Sequence, residues 1–206
     1  YQAIQRIDPT IIVITAGLAP ASDGVESVSD RRFLQQMYDG GLSNLTNIRI
    51  GVHPYGWANR PDDRCCDPNR AWGEYREFYF LETLYDYLQI MENYQDRERK
   101  LWITEVGWGT YDGVGIGGTD APAPESAPFF GFISSQQQSE YTVRAIELVQ
   151  MSPLVEHVEV TVIWNLNFAM INEAVPNGLE QAGYSLLDAD GNPRLIYLYL
   201  QVARKE

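Results

Sequence analysis

Three short stretches end in side chains that could do chemistry, and each follows an apolar run. In LWITEVGWGT, Leu101 to Thr110, a β-prone run stops at one carboxylate, Glu105, and then breaks into glycines around Trp108. In GVHPYGW, Gly51 to Trp57, an imidazole, a phenol and an indole alternate as His53, Tyr55 and Trp57. In IWNLNF, Ile163 to Phe168, Trp164 and Asn165 follow the run. A carboxylate can act as a nucleophile or move a proton, an imidazole can move a proton, and a phenol can donate a hydrogen bond to an anion. Flat rings suit the apolar faces of sugar rings, and polar groups suit their hydroxyls. Taken singly each residue has a plainer role: a tryptophan filling core or rim, a structural histidine, a glutamate capping the next turn. Together they place an acid, an imidazole, a phenol and aromatic platforms on one rim.

The elements that must position them follow from hydrophobic periodicity. Strands are expected at Ile11–Ala16, Ile48–Val52, Leu101–Thr104 and Val158–Trp164. Helices are expected from an Asp30 cap to Gly40-Gly41, along a face marked by Phe78, Leu81, Leu84, Tyr85 and Leu88, over Ser139–Met151 with Val143, Ile146 and Val149 or Gln150 inward, and over Leu195–Ala203. Four strand-then-helix units imply a parallel sheet with right-handed crossovers. Loops leaving the strands are long and loops entering them short. The elaborated surface is therefore the carboxyl end of the strands, where ligands sit in such folds and where Glu105 lies.

Other chemistries lack their signatures. The segment after the first strand, GLAPASDGVES, has no glycine-rich phosphate turn, and GVGIGGTD at Gly113–Asp120 opens no helix. The net charge of -13 disfavours nucleic acid. No run is long enough to span a bilayer. No metal site is expected: Cys65 and Cys66 are adjacent, His53 and His157 lie elsewhere, and DADGN at Asp188–Asn192 reads as a turn without calcium-loop spacing. The two cysteines could bond to each other, reach a cysteine elsewhere or stay reduced; a bonded pair favours an extracytoplasmic location. APAPESAPFF, Ala121–Phe130, is expected to form an extended lid or rim strip. At 206 residues with 45% hydrophobic residues, the chain has material for one core, and residues 1–206 are expected to form a single domain.

The ordered motifs resemble the second half of a retaining glycoside hydrolase of clan A, a (β/α)8 barrel with catalytic glutamates on its fourth and seventh strands. DPTIIVITAGLAPA resembles the fifth strand, GVHPYGW the sixth, LWITEVGW the seventh and VIWNLNF the eighth. YSLLDADGNPRLIYLYL resembles the closing loop and last helix, and YQAIQRIDP the helix after the fourth strand. The resemblance implies an O-glycosyl hydrolase of β-linked glycosides or polysaccharides that needs no cofactor. Glu105 would be its nucleophile, held by Tyr55. His53 would steer the acid or hold a hydroxyl. Trp164 would be the sugar platform, with Trp57, Trp108 and Asn165 also contacting substrate, and the glycines after Glu105 would admit the sugar. A retaining mechanism needs a second carboxylate about 5 Å from the first. The Asn-Glu-Pro segment that carries it in the family is absent, and Glu173 is expected at the rim. A barrel usually takes about 250 residues. The chain, beginning at Tyr1, is thus expected to be a processed or truncated product that is inactive until the missing N-terminal half joins it. Two other outcomes are a non-catalytic carbohydrate-binding half barrel and a half barrel that pairs with its own copy.

Overall fold

A computed structural model describes residues 1–69 and 73–203. Four strands, β1 (Val13–Ile14), β2 (Ile48–Val52), β3 (Leu101–Val106) and β4 (Val158–Ile163), form one parallel sheet in chain order. The long helices are α2 (Asp30–Asp39), α3 (Phe80–Asn93) and α4 (Ser135–Val149), which follow the first three strands in turn. Preceding β1 is α1 (Gln2–Ile7); after β4 come a short turn of helix, α5 (Glu180–Gly183), and the closing α6 (Leu195–Val202).

Strand alternation divides the sheet into two faces. Ile48, Ile50 and Val52 of β2 and Leu101 and Ile103 of β3 are buried in one cluster with Leu34 and Tyr38 of α2, Leu84 and Met91 of α3, and Tyr141 and Ala145 of α4. Each of the aliphatic side chains larger than alanine contributes about 1.5–3 kcal/mol by leaving water. The opposite face carries polar groups: Arg49 Nε donates to Glu159 Oε2 at 2.6 Å, and the Trp102 indole donates to the same oxygen at 2.7 Å. The three crossover helices share one buried cluster with one face of the sheet, the arrangement of a barrel wall rather than of a sheet wound on both sides.

Several expected boundaries shift for local reasons. β1 is two residues long, and Ile11 and Ile12 before it are exposed, because among the described residues the strand pairs on one side only. Ser29, not Asp30, is the N-cap residue of α2. Asp30 is the first helical residue, and its buried carboxylate accepts from the Tyr87 hydroxyl at 3.1 Å and pairs with Arg31 at 2.9 Å. Phe78 lies in a separate turn, Arg76–Phe78, ahead of α3. A capping box between Ser134 and Gln137 starts α4 four residues earlier than the apolar pattern suggests. Its buried face is Gln138, Ser139, Tyr141, Thr142, Ala145 and Val149, with Val143 and Ile146 only half-buried. The Gln138 amide sets that rotation by donating to the carbonyls of Trp108 and Gly183 at 2.7 and 3.0 Å.

A second apolar cluster sits on the loops leaving the strands: Tyr55 from the β2 loop, Tyr111, Phe129 and Phe130 from the β3 loop, and Ala169 and Tyr184 from the β4 loop. The segment expected to be an extended strip ends in a tight turn, Pro128–Gly131, which buries both phenylalanines.

Candidate active site

The end of β2 sends His53 and Tyr55 towards the end of β3. The Tyr55 hydroxyl donates to Glu105 Oε2 at 2.9 Å, and His53 Nδ1 stands 3.6 Å from the same oxygen. The other ring nitrogen, Nε2, is 3.0 Å from Thr104 Oγ1. Thr104 and Glu105 are consecutive, so strict alternation would turn them to opposite faces. The pairing with β4 explains why both meet one imidazole. Ile103 pairs with Thr161 and Val106 with Ile163, so β3 holds one extra residue between those partners, over Thr104–Glu105. A bulge of this kind re-aims a side chain.

Burial raises the Tyr55 phenol far above its ordinary range, and the Glu105 charge adds to this. Tyr55 is therefore a proton-bearing donor at every physiological pH. Burial lowers the His53 pKa against the upward pull of Glu105, so the ring is neutral at neutral pH. The Glu105 side chain is 30% exposed. Its Oε1 has no hydrogen-bond partner among the described residues.

The aromatic residues divide. Trp57 has a left-handed backbone (φ 51°) and packs edge-to-face on Phe78 and Phe129, beside Tyr55. Trp164 is half-buried against the second cluster. Trp108, expected to touch substrate, is instead fully buried: its indole donates to Asn59 O at 2.8 Å and its rings contact Phe80 and Tyr141. Asn165 is also corrected. It is 8% exposed, its Nδ2 donates to Gln181 O at 2.7 Å, and its Oδ1 accepts from Phe168 N at 2.9 Å. Both ends of the amide brace the β4 loop, a structural role for a residue that is buried.

The glycines after Glu105 also serve the protein rather than a sugar. A Cβ on Gly107 would lie 2.7 Å from Trp164 O, and one on Gly109 would collide with the Phe130 ring. Glu173 is exposed in the β4 loop with φ 65°. Asp188 Oδ1 accepts from the backbone N–H groups of Asp190 and Asn192, the expected turn. Cys65 and Cys66 are bonded to each other. No group of three or more potential ligands among the described residues could hold a metal, and no described helix is long and apolar enough to cross a membrane.

Sequence reasoning missed Thr104 and Tyr184. Thr104 was hidden by the alternation rule, and Tyr184, whose ring centre lies 5.4 Å from that of Tyr55, sits in a loop without periodicity. It also missed Arg194, which is 5% exposed and donates to the carbonyls of Thr110, Asp112, Gly183 and Ser185. Burial depresses its guanidinium to about 10, against the upward pull of Asp112 and Asp188.

No family model and no curated protein matches the sequence. Among solved structures, a family 39 glycoside hydrolase from the gut symbiont Bacteroides cellulosilyticus WH2 is similar over 98% of this chain and 35% of its own, at 18% identity and a TM-score of 0.57. The endo-1,4-beta-D-xylanase 10B of Clostridium thermocellum is similar over 98% and 44%, at 13% identity and a TM-score of 0.42. The beta-glucuronidase of Bifidobacterium dentium is similar over 94% and 30%, at 18% identity and a TM-score of 0.41. The chain thus spans about a third of the length of the family 39 enzyme. What the likeness to that enzyme shows is the fold alone: four strand–helix units on a parallel sheet, as in part of a (β/α)8 barrel.

Proposed function

We propose that residues 1–206 carry the nucleophile of a retaining O-glycosyl hydrolase that acts on a β-linked glycoside or polysaccharide. One observation supports this reading above the others. Glu105, at the carboxyl tip of β3, accepts from Tyr55 on Oε2 while Oε1 is left without a partner among the described residues. A carboxylate fixed by one oxygen and open at the other is arranged to attack.

In the proposed reaction Oε1 bonds to the anomeric carbon as the glycosidic bond breaks, and the leaving oxygen takes a proton from a second carboxyl group about 5 Å away. That acid is assigned to the part of the barrel outside these residues. It then acts as base, drawing a proton from the water that displaces Glu105 and releases the sugar with its configuration retained. Tyr55 holds Oε2 throughout, Trp164 stacks beneath the sugar at the cleavage point, Trp57 lines an outer subsite, and His53 faces the nucleophile. The completing half of the barrel and the saccharide are the proposed partners, and the chain alone is expected not to hydrolyse.

The test uses the intact protein and a fluorinated β-glycoside that slows release of the covalent intermediate. Peptide mass mapping is expected to place the label on Glu105, and Glu105→Gln to lower hydrolysis on the order of 10⁴-fold or more. A label on another side chain, or hydrolysis unchanged in Glu105→Gln, overturns the reading.

A further inference from the structure

The neighbours of His53 point beyond the nucleophile itself. The ring sits between two oxygens supplied by consecutive residues of one bulge, Thr104 Oγ1 at Nε2 (3.0 Å) and Glu105 Oε2 facing Nδ1 (3.6 Å). Its third boundary is Gly17, just beyond β1. A Cβ there would overlap His53 Nε2, His53 Cδ2 and Thr104 Oγ1, so the hydroxyl–imidazole contact exists because residue 17 has no side chain. We propose that Thr104, seated by Gly17, is a positioning residue that fixes His53 as the tautomer with its proton on Nδ1, facing the Glu105 carboxylate. The proposal rests on Glu105 being the nucleophile, but its geometry involves three residues to which the reaction assigns no bond-making.

Two tautomers are possible for a neutral ring. With the proton on Nε2, the ring donates to Thr104 and turns the Nδ1 lone pair onto the carboxylate, two negative ends facing each other. With the proton on Nδ1, the threonine hydroxyl donates to Nε2 and the Nδ1–H bond dipole faces the carboxylate. Only the second arrangement is attractive at both ends. The 3.6 Å separation is too long for a formed hydrogen bond, so Nδ1–H is held close to the carboxylate without tying it down. Threonine suits the task because its β-branch restricts χ1, whereas a valine would keep the shape and lose the proton.

The tautomer can be read without substrate. In the intact protein with 15N-labelled histidine, at a pH above the titration of the ring, His53 is identified by its loss in His53→Gln. Nε2 is expected to resonate as an unprotonated nitrogen and Nδ1 as a protonated one. Thr104→Val is expected to move Nε2 towards the protonated form and to lower kcat about tenfold with KM near wild type, while Thr104→Ser restores both. A wild-type His53 protonated on Nε2 overturns the proposal, as does a valine variant with unchanged ring signals. If the valine variant does not fold, the wild-type spectrum alone decides. Because the ring signals are recorded without a glycoside, failure of the tautomer is distinct from failure of Glu105 in the trapping experiment.

Discussion

Tyr55 and Glu105 form a hydrogen bond in which one partner is charged, the kind worth about 1.5–3 kcal/mol. Tyr55→Phe keeps the ring against Trp57 and Tyr184 and removes only the donor. In the intact enzyme kcat is expected to fall about 10–100-fold with KM little changed, because the phenol touches the oxygen that does not attack. A variant with wild-type kcat would show that Tyr55 packs the site without supporting its chemistry. His53 offers a test of folding in place of rate. Burial keeps its folded pKa below the ordinary value of 6.5. Above that pH both folded and unfolded chains hold the ring neutral, and it contributes nothing. As pH falls below it, the unfolded chain takes up the proton first, so stability declines. Between about pH 6.5 and 5 the urea midpoint is expected to drop less steeply in His53→Gln than in wild type, and equal slopes would contradict this.

The loops leaving β3 and β4 have little regular structure, so something else must hold them in register over the site. Arg194, at the start of α6, does so by reaching carbonyls on both loops at once: Thr110 and Asp112 after β3, Gly183 and Ser185 after β4. Arg194→Met keeps the stem and removes one donor from each of four carbonyls, of which Gly183 O still accepts from Gln138. Urea denaturation is expected to show a loss of about 3 kcal/mol or more, and Arg194→Lys should recover only part because an ammonium cannot span four acceptors. A loss below about 1 kcal/mol would mean that the loops are held elsewhere. None of this is visible in a sequence, because a buried arginine in a long connection looks like any exposed one. What is visible is whatever has a period. β2 runs over the residues its apolar pattern marks, the β3 and β4 runs fall on strands, and His53 and Tyr55 lie within 3.6 Å of Glu105. Trp108 and Asn165 were misread because a residue just past a strand looks the same whether its loop opens to solvent or folds back. Here the loop folds back, and Asn59 O, Phe80 and Tyr141 enclose the tryptophan. The bulge that brings Thr104 and Glu105 onto one imidazole breaks the two-residue period on which strand reading depends.

At the scale of the molecule, one face of the sheet is finished and its edges are not. Helices bury the Ile50–Leu101–Ile103 face, whereas β1 and β4 each pair with a strand on one side only, among the described residues. Those margins carry exposed aliphatic groups: Ile12 at 43% beside β1, Val162 at 44% on β4, and Leu198 and Val202 on α6. Unpaired strand edges lined with apolar residues are templates for another chain. The proposed completion of the barrel would cover both margins at once. A copy of the same chain would cover them too, which gives the self-pairing alternative its physical basis. Residues 1–206 expressed alone, 23.4 kDa, are therefore expected to show a concentration-dependent mass above that of a monomer in light scattering. Val162→Lys puts a charge on the exposed β4 margin, and is expected to shift the mass towards the monomer without altering the far-ultraviolet circular dichroism. A wild-type chain that stays monomeric at every concentration would mean that these edges are tolerated in water. Neither a completing half nor a second copy would then be required to explain the exposed strands.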